Sequence, residues 1–107
     1  MEYKNKRFKF FNSTWTIKYV KEPIKNIDVP DEGVIFGITK PAQKEILIAL
    51  LNDTGKPYSK EHIEETLKHE LIHMIFHEGQ YNSCYVDEPL VEWVAKSLIE
   101  LKIKNLI

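Results

Sequence analysis

The stretch His69-Glu70-Leu71-Ile72-His73 constrains this chain more than any other. It lies inside a run, Glu61 to Glu78, that reads as a helix ending at about Phe76. Ser59 is the N-cap residue, Glu61, Glu64 and Glu65 crowd the positive end, and His77 and Gly79 signal the stop. Residues four apart share a helical face, so both imidazoles can reach a single metal ion. The glutamate beside the first histidine is then placed to take a proton from a water that the ion activates. Ile63, Leu67, Leu71, Met74 and Ile75 form one apolar arc, and Ile72 and Phe76 form another. A helix apolar on two sides is predicted to be packed on both, with the histidine face open to a cleft.

The spacing is the H-E-x-x-H pattern of zinc peptidases, and it asks for a third ligand from elsewhere. Catalytic zinc sites leave one corner for water, whereas structural ones are closed by protein on every side. Glu88 and Glu92, at the start of a last helix, are the candidates. At about 100° per residue, Glu88 falls between Ala95 and Ile99, inside the predicted buried arc, and Glu92 falls at its edge. A carboxylate facing a core is costly unless it is paired or metal-bound. Glu88 is therefore the preferred ligand. Glu92 is the alternative, or else accepts a hydrogen bond from a ligand histidine. His77 is carried past the metal by the helical rise of about 5.4 Å per turn and reads as a helix-end histidine. His62 shares the face of His69 and is expected to be exposed. Cys84 is expected to be a free thiol in a loop.

The other elements read as a scaffold for that helix. Phe8–Phe11 and Thr14–Val20 form a predicted hairpin around Asn12-Ser13, with Trp15, Ile17 and Tyr19 on one face. Lys21–Gly33 is a predicted loop. Val34–Thr39 is a predicted strand whose Gly37 marks either a bulge or a close backbone approach. Glu45–Leu51 is a predicted central strand, with a helix over Ala42–Leu51 as the competing reading. Asn52–Pro57 is a breaker, Gln80–Val86 a loop, and the last helix runs from Asp87 or Glu88 to about Lys104, with Pro89 in its first turn. Its predicted arc is Leu90, Val91, Val94, Ala95, Leu98, Ile99 and Leu101.

At 107 residues the chain is expected to be one α+β domain. A formal charge of -1 favours neither nucleic acid nor anionic membrane as a partner. One cysteine allows no internal disulfide, and the lack of a signal-like N-terminus or long apolar run leads to the expectation of a cytoplasmic protein.

The segments Thr66-Leu67-Lys68-His69-Glu70-Leu71-Ile72-His73 and Asp87-Glu88-Pro89-Leu90-Val91-Glu92-Trp93 resemble those of small phage and prophage zincin-like proteins. Such proteins look like relatives of the ImmA/IrrE-like metallopeptidases and the minigluzincins. The resemblance covers most of the chain in layout but only about 20 residues in motif. It implies a minimal zincin-like fold: a small, mostly antiparallel sheet of three or four strands packed on the histidine-bearing helix and a C-terminal helix. It also implies one zinc ion on His69, His73 and Glu88, Glu70 as general base, and a peptide or protein substrate. Tyr81 and Tyr85 are candidate donors to the oxyanion. The strand Val34, Ile35, Phe36, Gly37, Ile38 and Thr39 is the candidate edge along which substrate lies. The alternative is an inactive zincin-like module, of phage origin, that binds a regulatory partner. A hydrolase acting on a non-peptide amide is a further alternative.

Overall fold

Alternation of apolar and polar residues builds the sheet that carries everything else. In the computed structural model, which describes residues 3–25 and 34–107, β1 (Lys6–Phe10) and β2 (Ser13–Val20) form the hairpin. Then follow β3 (Ile24–Lys25), β4 (Val34–Ile35), β5 (Gly37–Lys40) and β6 (Glu45–Ala49). The helices are α1 (Lys60–Glu78), α2 (Asn82–Tyr85) and α3 (Glu88–Ile103). The class is α+β. The sheet order is β1-β2-β6-β5, with β3 and β4 paired separately. β1–β2 and β5–β6 are antiparallel, but the central pair β2–β6 is parallel. The chain runs through β3, β4 and β5 before β6 returns beside β2, and such a long crossover is what a parallel pair requires. The sheet is therefore mixed.

Trp15 and Ile17 of β2 and Ile46 and Ile48 of β6 point to one face and meet Ile63 and Met74 of α1. On its other side α1 sets Ile72 against Val91 and Ala95 of α3, with Phe76, Val94 and Leu98 around them. So α1 is held between the sheet and α3. Ile75, expected in the first arc, is instead 42% exposed. Leu101 at the far end of α3 is also partly exposed. Ser59 caps α1 by accepting from His62 N, and Asp87 caps α3 by accepting from Leu90 N. That cap makes Glu88 the first residue of α3.

Several local details differ from the sequence expectation. The hairpin turn lies one residue earlier, at Phe11-Asn12, with Phe11 85% exposed and at φ 52°. This register places Trp15 opposite Phe8 and points the indole into the core, where a slip of one residue would turn it out. The strand Val34–Thr39 breaks at Phe36: Ile35 pairs with Ile24, whereas Gly37–Lys40 pairs with β6. Pairing with β4 also makes a strand of Ile24–Lys25, inside the expected loop; residues 26–33 of that loop lie outside the described residues. Glu45–Ala49 is a strand and not a helix, because it is paired on both edges. Gln80–Val86 contains the short helix α2. Among the described residues no helix is long and apolar enough to cross a membrane.

Glu78 fastens the C-terminal end of α1 to the sheet. It accepts from the Ser13 hydroxyl, from Trp15 Nε1 at 3.3 Å and from Lys44 Nζ at 3.2 Å. The Ser13 bond is the largest influence on its carboxyl; burial opposes it, and the Lys44 and Trp15 bonds and the Lys44 charge complete a net lowering of the pKa. A folded value below the unfolded one gives stability that is full above the ordinary value of 4.5 and fades as pH falls through the lowered value. Glu78→Gln is therefore expected to lower the melting temperature by a few degrees near neutral pH. The gap from the parent should close as pH falls through the lowered Glu78 value. Thermal unfolding at several pH values checks this, and a gap of constant size contradicts it.

Candidate metal centre

The two packed sides of α1 leave its third side over a cleft of about 620 Å³. β5 forms one wall and the start of α3 the other. His69 and His73 project from α1 with their Nε2 atoms 3.2 Å apart. Glu88 reaches across from α3, with Oε2 3.0 Å from His69 Nε2 and Oε1 3.0 Å from His73 Nε2. One ligand atom from each of the three residues lies within 4.8 Å of the others.

The far side of each ring fixes its tautomer. His73 Nδ1 lies 2.8 Å from the Tyr85 carbonyl oxygen, which can only accept, so this nitrogen carries a proton. His69 Nδ1 lies 2.9 Å from Glu92 Oε2. Burial pushes the Glu92 carboxyl pKa up, but the bonds from His69 and Lys96 and their charges outweigh it, and the net shift is downward. Glu92 is thus an ionised acceptor, and His69 Nδ1 also carries a proton. With neutral rings, both Nε2 lone pairs then face each other and the Glu88 carboxylate. Protonating both rings instead would set two N–H groups against each other at 3.2 Å. A divalent cation satisfies all three electron pairs at once, so the donor set fits a metal. Histidine nitrogen and carboxylate oxygen suit zinc.

Glu70 is 7% exposed and turns away from solvent toward β5. The Thr39 hydroxyl lies 2.8 Å from its Oε1 and 3.0 Å from its main-chain oxygen. Burial raises the Glu70 pKa, against the Thr39 hydrogen bond and the charges of His73 and His69, while Glu88 adds a small push upward. This contact depends on Gly37. A Cβ there would sit 2.9 Å from Thr66 Cγ2, 3.0 Å from the Leu47 carbonyl oxygen and 3.2 Å from Glu70 Cγ. The close approach that a glycine in this strand signals is therefore to α1.

The structure brings His69, Glu70, His73, Glu88, Glu92 and Tyr85 to the cleft, with Ile35–Thr39 along its wall. Tyr85 is held near the site by a long contact from its hydroxyl to the Thr39 carbonyl oxygen, 3.5 Å. Burial, then the charges of Glu70 and Glu88, raise its pKa and keep the phenol protonated. Tyr81 is not brought in: it is 63% exposed and its ring packs against Gly79. Val34 belongs to β4, ahead of the break at Phe36. Glu88 is not in a core as its angle suggested, because the Ala95–Ile99 side of α3 borders the cleft; its side chain is 64% exposed. His62, expected to be exposed, is partly buried in the cleft wall. His77 lies beside Trp15 and Tyr85, away from the three donors, and Cys84 is a partly buried free thiol in α2. The role of Thr39 escaped the sequence reading, since a threonine in a strand gives no sign of the partner across from it.

No protein-family model, curated protein or solved structure matches this chain. The functional reading therefore stands on the residues and their geometry.

Gly37→Ala is expected to push β5 away from α1 and destabilise the fold by about 1–3 kcal/mol. Thr39→Val leaves the Glu70 carboxylate without its donor and costs about the same, whereas Thr39→Ser keeps the bond. Denaturant unfolding measures all three. Unchanged stability in Gly37→Ala contradicts the close contact.

Proposed function

We propose that this protein is a zinc-dependent peptidase of the gluzincin type. The observation that carries the reading is the convergence of His69 Nε2, His73 Nε2 and Glu88, each ring held from behind by an acceptor, with a buried glutamate beside them. His69, His73 and Glu88 would hold a zinc ion, which would supply Lewis acidity toward a water molecule and the scissile carbonyl. Glu70 takes the proton of the attacking water and passes it to the leaving amine. Burial strengthens it as a base, and Thr39 holds its carboxylate in one orientation. The protonated Tyr85 hydroxyl donates to the carbonyl oxygen as negative charge gathers there. β5 is the last strand of the sheet, so its outer edge can pair with an extended substrate.

Glu70→Gln preserves shape but removes the base. It is expected to retain zinc and lose cleavage of a peptide library by about 10²–10⁴-fold. Cleavage that persists in this variant contradicts the mechanism. A cellular effect that survives the change assigns the cleft to binding without turnover. The two α3 carboxylates are separated by zinc affinity: Glu88→Ala loses the ion, while Glu92→Gln weakens it by about 10–100-fold. The reverse order would make Glu92 the ligand.

A further inference from the structure

The cleft extends past the three donors toward the N-terminal end of α1, where Phe36, His62 and Glu65 line it. Glu65 stands one turn before His69, about 6 Å along the helix axis. The other carboxylates of the cleft have roles already described: Glu70 is bonded by Thr39, Glu92 by His69 and Lys96, and Glu88 belongs to the donor set with the two histidines. Glu65 is exposed and, among the described residues, has no ion pair. Among the described residues Lys96 is the single lysine lining the cleft, and it lies 3.4 Å from Glu92.

Beside Glu65 the wall is aromatic. The His62 ring stacks on Tyr58 with centroids 4.2 Å apart, and Phe36 meets His62 edge-on at 4.5 Å. Phe36 is 52% exposed. His62 Nε2 is sealed from water and, among the described residues, has no hydrogen-bond partner, which is a destabilising state. An unpaired carboxylate next to an accessible aromatic wall suits one kind of guest. A cationic group is drawn to the carboxylate and to the ring faces, and its methylene stem covers the apolar surface.

We propose that this end of the cleft is a subsite for a lysine or arginine side chain of the bound peptide. The proposal rests on the peptide-binding reading of the cleft and adds its selectivity. The negative charge that draws the side chain comes from Glu65, and the aromatic wall of Phe36 and His62 receives its stem.

The test uses the zinc-loaded Glu70→Gln protein, so that binding is read without turnover. Labelled alanine-rich hexapeptides carry lysine, norleucine or glutamate at each position in turn, and affinity is followed by fluorescence anisotropy. One position is expected to favour lysine over norleucine by about tenfold. Glu65→Lys, added to the same protein, is expected to turn that preference toward glutamate. Equal affinities at every position, a lysine preference that survives Glu65→Lys, or no binding of any peptide overturns the subsite. Cleavage by the parent protein is scored separately. If it cleaves nothing while the lysine preference holds, the peptidase reading falls and the subsite stands.

Discussion

Two imidazole nitrogens and a carboxylate oxygen stand within 4.8 Å of one another. With both rings neutral, their Nε2 lone pairs and the carboxylate repel one another unless a cation lies in their midst. The surrounding hydrogen bonds enforce the confrontation. The Tyr85 carbonyl and the Glu92 carboxylate hold the opposite nitrogens of the two rings and turn both Nε2 atoms inward. α1 carries the histidines, and the sheet on one side and α3 on the other fix its position. The Asp87 cap starts α3 at the residue that faces them.

The same packing explains the burial of Glu70. β5 runs against α1 closely enough that a methyl group at position 37 would collide with Thr66 and the Leu47 carbonyl. That closeness buries Glu70 and brings the Thr39 hydroxyl to it. A buried carboxylate with one donor is raised in pKa yet held in place, the combination a general base needs. The edge strand therefore has two tasks. It orients the glutamate on its inner side, and among the described residues its outer edge has no strand partner.

Much of this was legible in the chain because it is local. The spacing of His69 and His73 fixes a shared face through helical geometry alone, and the two apolar arcs of α1 mark two packed sides. Glu88 was legible for a reason that the structure revises. Its angle between Ala95 and Ile99 suggested a core, yet that side of α3 overlooks the cleft. The angle identified the right neighbours but could not say whether water or protein lay beyond them. What was not legible depends on register between distant segments. The parallel pairing of β2 with β6, the break at Phe36, the Thr39–Glu70 bond and the failure of Tyr81 to reach the site all follow from how strands and helices dock. No single segment carries that information.

The account stands on the affinity of three residues for one ion. Zinc titration of chelator-stripped protein, read by competition with a chromophoric chelator, tests it most directly. It predicts one zinc per chain, bound with a Kd below about 1 µM, and loss of that binding in His73→Ala. Zinc that binds no tighter than about 100 µM, or that binds His73→Ala equally well, would contradict it.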